Sequence, residues 1–375
     1  MKTIPLFNVC MSQKVLDPVN DLLMSGYVGQ GEKVEQFEDK LKDHFQTSYI
    51  NTVNSATSGI HLLLSLAKRT FSNQHEVEVL TTPLTCSATN LPILANGLKI
   101  KWVDIDPNTC NLDLDDLERK LSPTTKVIIL VHWGGYPVDL DRIESIKNKC
   151  YSMYGFVPIV IEDCAHAWGS TYRNKLVGTH GNHAVFSFQA TKQLTTVDGG
   201  CVISPNVICN EQVKLARWYG LDRSENAKPR EIQDIKSWGY KFHMNDLNAI
   251  IGINNFDKSL DSVKANQNNA KSYNGKLKNI VGIELLENKG DRESSCWLYT
   301  IKVSNNISFT KMMKDRGIQV SRVHRRNDTH SCMKEFRSPL PNLDKIYQNI
   351  VCVPCGWWLL EEEKEYIIDC IKQGW

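Results

Sequence analysis

The sequence lacks any apolar run that approaches the length of a membrane-spanning helix, so a helical membrane protein is not expected. Its first ten residues, Met1 to Cys10, have no long apolar segment and no small-residue cleavage site, so no signal peptide is expected either. No block of like charge stands out, and the formal net charge is only +2 over 375 residues. Neither nucleic acid nor an anionic membrane is therefore the expected partner. Familiar catalytic signatures are missing as well. There is no GxxxxGK[ST] loop, no HExxH pair and no GxSxG elbow, which weakens the nucleotide-hydrolase, metalloprotease and serine-hydrolase readings. Gly26-Tyr-Val-Gly29-Gln-Gly31 is rich in glycine but follows no strand, so it is not a dinucleotide fingerprint. Of the twelve cysteines, only Cys352-Val-Pro-Cys355 forms a close pair, with no second pair or histidine pair to complete a zinc site. No metal is expected, and the cysteines read as free thiols in a reducing cytoplasm. No internal repeat or low-complexity segment is visible.

What is there is an ordinary globular composition, 41% hydrophobic and 23% charged, in a chain long enough for one large and one small domain. The first two thirds alternate between helix and strand patterns. Helices are expected at 56–68, 87–96, 112–121 and 140–154. Strands are expected at 77–81, 98–103, 126–132, 158–161, 184–188 and 200–204. The strands are continuous apolar runs such as Val127-Ile-Ile-Leu-Val131, the mark of strands covered on both faces. This predicts an α/β fold with a mostly parallel sheet wrapped by helices. From Met244 the texture changes. A long helix over 245–277 leads into a smaller alternation: strand 296–303, helix 309–316, strand 318–323 and helix 359–372. The expected division is a large domain over 1–244, then the connecting helix and a smaller αβ domain over 245–375.

The chemistry concentrates where two strands end. Val157-Pro-Ile-Val-Ile runs into Glu162-Asp163-Cys-Ala-His166. Ala184-Val-Phe-Ser187-Phe188 runs into Gln-Ala-Thr-Lys192, followed by small hydroxyl residues and Gly199-Gly200. A desolvated lysine amine loses its proton more readily and becomes a nucleophile toward aldehydes. An acid and a lysine, each closing its own strand, suggest pyridoxal phosphate, with Lys192 bonded to the aldehyde and Asp163 facing the pyridinium nitrogen. Ligands of such sheets sit beyond the carboxyl ends of the strands, where both residues fall. The phosphate needs a helix N-terminus with small residues, and Asn54-Ser-Ala-Thr57-Ser58-Gly59 supplies one. Ser187 points away from the face that Phe188 occupies and reaches toward the same phosphate. His166 has three open readings: it stacks on the cofactor ring, bonds the ring's phenolate oxygen, or is a satisfied core histidine.

Together these stretches resemble the DegT/StrS-type sugar aminotransferases, pyridoxal-phosphate enzymes of the aspartate-aminotransferase fold. The matching segments are Asn54 to Gly59, Thr82-Pro-Leu-Thr-Cys86-Ser-Ala-Thr89, Val103-Asp-Ile-Asp106 and His132-Trp-Gly-Gly-Tyr-Pro-Val-Asp139. They continue with Ile161 to Ala167, Ser187 to Gly200 and Gly239-Tyr-Lys241-Phe-His243-Met-Asn-Asp246. The resemblance implies that Lys192 carries the cofactor and shuttles the proton, and that Asp163 pairs with the ring nitrogen. It places His166 by the ring and Thr57, Ser58 and Ser187 on the phosphate. It also implies a homodimer in which Gly239 to His243 is lent to the neighbouring subunit. This chain departs from the pattern in three places. Lys241 stands where many relatives have Asn, His243 where they have Arg, and Cys86 where they often have an aromatic that stacks on the ring.

The resemblance further implies transfer of an amino group from L-glutamate to a keto group of a nucleotide-linked sugar, with pyridoxamine 5'-phosphate formed between the half-reactions. UDP and dTDP are favoured over GDP as the nucleotide. The Thr195-Thr-Val-Asp198-Gly-Gly200 ending favours C-4 of a 4-keto-6-deoxy sugar. The alternatives are amination at C-3, a pyridoxal-phosphate-dependent sugar dehydratase, or a non-enzymatic sensor on the same scaffold. A diphosphate needs cations near its entry, and Arg217, Arg223, His324 and Arg325 are candidates with Lys241. The loops at 133–136 and 218–226 are expected to shape the sugar site.

Overall fold

A computed structural model describes residues 3–72, 76–224 and 227–375. The first two residues of the chain and Glu225 and Asn226 of the 218–226 loop lie outside the described residues. A seven-stranded sheet is built from β1 (Ile50–Val53), β2 (Glu78–Thr81), β3 (Lys99–Trp102), β4 (Thr125–Val131), β5 (Ile159–Asp163), β6 (His183–Ser187) and β7 (Gly200–Ile203). Their spatial order is β1-β7-β6-β5-β4-β2-β3. Every pair from β6 to β3 is parallel; only β7 runs the other way, pairing antiparallel with both β1 and β6. The sheet is thus the mostly parallel mixed sheet that the apolar runs imply.

Strand β4 shows why such runs form buried strands. All seven of its residues are buried. Val127 and Ile129 pack in one hydrophobic cluster, and Ile128 and Leu130 in another. Side chains alternate across a strand, so a continuous apolar run is what a sheet sandwiched between two cores requires. Helices α1 (Leu16–Ser25), α2 (Glu32–Phe45), α3 (Ala56–Thr70), α4 (Ser87–Ala95), α5 (Leu114–Lys120), α6 (Leu140–Tyr154) and α7 (Val207–Ala216) accompany the sheet. Several start on side-chain caps. Ser55 accepts from the N–H of Ser58, Asp139 from Arg142 and Asn206 from Cys209.

Helix α8 (Asp246–Leu277) is capped by Asn245 and runs for 32 residues, a length of about 48 Å at helical rise. Ala249, Phe256 and Val263 on it join the core of the large sheet. Ala270, Tyr273 and Leu277 join a third cluster under a second sheet. That sheet has three antiparallel strands, β8 (Ile283–Leu285), β9 (Tyr299–Val303) and β10 (Ile350–Val353), in the order β8-β9-β10. Helices α9 (Asn306–Asp315), α10 (Pro341–Ile346) and α11 (Glu361–Lys372) complete the C-terminal part. Ile4, near the start of the chain, bridges to Ile318 and belongs to this third cluster.

Two expectations need correction. Residues 318–323 do not form a strand. Ile318 and Ser321 make only single bridges, to Ile4 and Cys352, and Val323 has a left-handed φ of 64° that turns the chain. Strand β9 starts at Tyr299 rather than residue 296, because Cys296 adopts φ 52° and breaks the extended run. Both turns occur in residues that disfavour them, and both send the following side chain toward the large domain.

Arg217 is a third correction. Instead of facing an incoming diphosphate it is 4% exposed. Its guanidinium pairs with Glu38 of α2 and donates to the Thr52 carbonyl on β1 at 2.6 Å. Breaking a buried pair leaves a charge without a partner, which costs about 3–5 kcal/mol. Arg217→Ala is expected to lose that much stability in urea denaturation. An unchanged midpoint would show that Glu38 finds another partner.

Candidate active site

The carboxyl edge of the large sheet gathers the residues in question. Asp163 is the last residue of β5 and is 4% exposed. Thr89 of α4 donates its hydroxyl to Asp163 Oδ2 at 2.6 Å, and the Ala165 N–H donates to Oδ1 at 3.0 Å. Thr85 lies 2.9 Å from the Thr89 hydroxyl, which extends the chain of hydroxyls. Burial pushes the Asp163 carboxyl up, and the Thr89 and Ala165 bonds and the Lys192 charge pull against it.

Lys192 follows β6 by five residues. Burial of its amine lowers the pKa to about 7, with Asp163 and then Cys86 opposing the shift. The amine lies 3.4 Å from the ring centroid of Trp297. His166 stacks on the same indole at 4.1 Å and on His324, in near-parallel planes, at 5.7 Å. His166 Nδ1 accepts the Gly134 N–H at 3.3 Å, which leaves Nε2 to carry the proton. Burial, then the Lys192 and His324 charges, holds His166 well below the usual histidine range. It is a buried, neutral imidazole stacked on Trp297 and His324.

Behind Asp163 lies a fully buried support. His132 Nε2 meets Glu162 Oε2 at 3.1 Å, His132 Nδ1 accepts the Val138 N–H at 3.0 Å, and Asn182 donates to Glu162 Oε1 at 2.8 Å. Burial pushes the Glu162 carboxyl up, and the His132 and Asn182 bonds more than offset it. Cys164 is close enough to His132 and Glu162 to suggest a metal, but the imidazole and carboxylate atoms are already committed to each other and to these donors.

A second corner lies where β1, β6 and β7 meet. Gly200 pairs with Val53 on one side and with Ser187 on the other. A Cβ on Gly200 would sit 2.5 Å from the Phe186 carbonyl and 2.8 Å from the Ala56 amide. Only glycine lets the first turn of α3 approach the sheet this closely. Gly59, one turn on, packs against Val185 and Val202 in the same way. Thr57 is exposed and Ser58 half-buried in that first turn, beside Ser187 at the end of β6. The first N–H groups of a helix have no partner inside it and attract an anion. The 239–243 stretch reaches the same corner. Asn54 donates its N–H to the Phe242 carbonyl at 2.7 Å, and Lys241 beside it is exposed. Cys86 caps α4, is half-buried and acts electrostatically on Lys192.

These features fit a pyridine ring carrying an aldehyde and a phosphate. A buried carboxylate held by two donors faces one end, a lysine poised near neutrality stands beside it, and a close helix N-terminus with hydroxyls lies at the other end.

Residues 9–372 match the model of the DegT/DnrJ/EryC1/StrS aminotransferase family. The chain belongs to this family. It is an aminotransferase that depends on pyridoxal 5'-phosphate, with the type I fold of such enzymes. The fold is similar to that of AtS13 from Actinomadura melliaura, 45% identical with a TM-score of 0.96 over 100% of both chains. It is equally similar to the sugar aminotransferase CalS13 from Micromonospora echinospora, 42% identical with a TM-score of 0.96 over 99% of this chain and 100% of that one. In sequence it is 28% identical to the UDP-4-amino-4,6-dideoxy-N-acetyl-beta-L-altrosamine transaminase of Campylobacter jejuni, over 96% of this chain and 94% of the relative.

The remaining candidates are scattered. Arg223 is exposed, donates to the Gln30 carbonyl at 3.1 Å and covers Trp218 at 4.5 Å. Arg325 is exposed and donates to the hydroxyl and carbonyl of Thr329. His324 stands in the lysine corner, and burial lowers its pKa to about 4, helped by the Lys192 charge. It is neutral near pH 7 and brings no charge to a diphosphate. Thr89, Trp297 and the His132–Glu162 pair are residues that patterns did not single out. Thr89 and His132 stood inside matched segments, whereas Trp297 carried no signal at all.

The lysine's state is measurable. Below pH 7 the amine is protonated and unreactive; above it the free base dominates. In cofactor-free protein, Lys192 is expected to react half-maximally with trinitrobenzenesulfonate near pH 7, while surface lysines require pH near 10. Peptide mapping by mass spectrometry reads each site. Labelling of Lys192 that follows the surface lysines would contradict its desolvation.

Proposed function

We propose that this aminotransferase moves the amino group of L-glutamate to the C-4 keto group of a nucleotide-linked 4-keto-6-deoxy sugar. The reading rests on one juxtaposition: the desolvated amine of Lys192 beside the buried carboxylate of Asp163 at the carboxyl edge of β5 and β6. Two similar proteins support the sugar. CalS13 is a sugar aminotransferase by name, and the name of the Campylobacter relative places an amino group at C-4 of a UDP-linked sugar. The Thr195-Thr-Val-Asp198-Gly-Gly200 ending supports C-4 over C-3. UDP and dTDP remain the favoured nucleotides.

The cofactor, when bound, supplies an electron sink for the carbanion formed at the amino acid's Cα. The chain supplies the rest. Asp163 faces the ring nitrogen, held by Thr89 and the Ala165 N–H. Lys192 takes the Cα proton of glutamate as a free base and returns a proton in the sugar half-reaction, a transfer suited to a pKa near the working pH. His166 offers a neutral N–H donor at the ring. Thr57, Ser58 and Ser187 hold the phosphate at the start of α3. Lys241 adds a point charge to that phosphate, in its own or in a partner subunit of a homodimer. In this reading Arg223 and Arg325, exposed and cationic but apart from each other, attract the nucleotide's diphosphate. His324 does not share that role, because it is neutral. The protein works in the cytoplasm in this reading, where its free cysteines stay reduced. Among the described residues no helix is long and apolar enough to cross a membrane.

Incubation with L-[15N]glutamate and a UDP- or dTDP-linked 4-keto-6-deoxyhexose is expected to give a sugar carrying 15N at C-4, read by NMR. Label at C-3 would replace the regiochemistry, and a deoxygenated carbon without label would point to a dehydratase. Lys192→Ala should abolish turnover. Asp163→Ala should slow it by about a hundredfold or more, since a ring nitrogen without its carboxylate loses its proton. Near-normal rates in either variant would remove the proposed roles.

A further inference from the structure

Lys192 is held on both sides by one short segment from the C-terminal part of the chain. The Trp297 indole N–H donates to the carbonyl of Thr191, the residue before the lysine, at 2.9 Å. Gln193, the residue after it, donates its side-chain amide to the carbonyl of Ser295 at 2.7 Å. Between these bonds the Lys192 amine rests 3.4 Å from the centroid of the Trp297 ring. The ring is itself fixed. It stacks on His166 at 4.1 Å and on Phe7 at 5.1 Å, and Trp297 is 8% exposed. Cys296 pays for the arrangement with a left-handed φ of 52°, a conformation a non-glycine residue adopts only when its surroundings impose it. Ser295 adds a further anchor by donating its hydroxyl to the His166 carbonyl at 2.7 Å.

A lysine that alternates between bonded and free states needs a place for its ammonium when it is free. Asp163 attracts it electrostatically, but both of its oxygens already accept hydrogen bonds, from Thr89 and the Ala165 N–H. An aromatic face attracts a cation without accepting its proton. We propose that Trp297 is the positioning residue for Lys192, receiving the ammonium group on its indole face whenever the amine is free and fixing the lysine's backbone through Thr191. Trp297 thereby stabilises the charged form against the burial that opposes it. The inference concerns the cofactor-free lysine, so it stands apart from the identity of donor and sugar.

The test uses pH-dependent trinitrobenzenesulfonate labelling of Lys192 in cofactor-free protein. In Trp297→Leu, which keeps an apolar neighbour but removes the π face, the pH of half-labelling is expected to fall by about one unit, the size of a desolvated cation–π contact. Trp297→Phe keeps a weaker π face and should fall by less, giving the order Trp above Phe above Leu. If the leucine variant does not fold, the phenylalanine variant alone decides, by a downward shift. No shift, or an upward one, in the folded variants would overturn the proposal and leave Trp297 as packing only.

Discussion

The burial of one amine is the constraint on which this site depends. Lys192 is a long, normally solvated side chain, and enclosing it costs its charge unless something nearby offsets the loss. The offset here is incomplete. Asp163 draws the pKa up, burial draws it down, and the balance falls near neutrality, where an amine both gives and takes a proton readily. Asp163 sits in the complementary position, raised by burial and lowered by donors and by the lysine. Neither group would have its character alone.

The fold maintains that balance from two directions. From the large sheet, β5 and β6 run side by side in parallel, with Asp163 paired to Val185, so the segments that follow them leave the same edge of the sheet. The buried His132–Glu162–Asn182 network, directly behind Asp163, consumes its own donors and acceptors and leaves the Asp163 carboxylate to Thr89 and Ala165. From the C-terminal part, residues 295–297 and His324 reach across and close the lysine corner. The left-handed turns at Cys296 and Val323 are what deliver these side chains. Backbone strain is thus placed at the two points where the second sheet meets the site.

The parallel sheet was legible because β4 and its neighbours are apolar on both faces, a pattern with few other solutions. The aspartate was legible because it ends such a run, and the lysine because it follows one within a few residues. Gly200 was visible as half of a double glycine, although its reason, the approach of Ala56, is a tertiary fact. Elsewhere local pattern failed. Residues 318–323 look like a strand, yet the chain turns at Val323 because His324 packs on His166. Arg217 looks like a free cation, yet α7 ends against Glu38. Trp297 reads as an ordinary strand residue, and only the fold shows it bonded to the lysine's own neighbour. What the sequence hides are contacts between segments far apart along it.

The most direct measurement is the visible spectrum of the purified protein with pyridoxal phosphate, before and after L-glutamate. The account predicts a yellow band that glutamate bleaches and that a nucleotide-linked 4-keto-6-deoxy sugar restores. Absence of any band would contradict it at its centre, because Lys192 would then not be the residue that carries the cofactor.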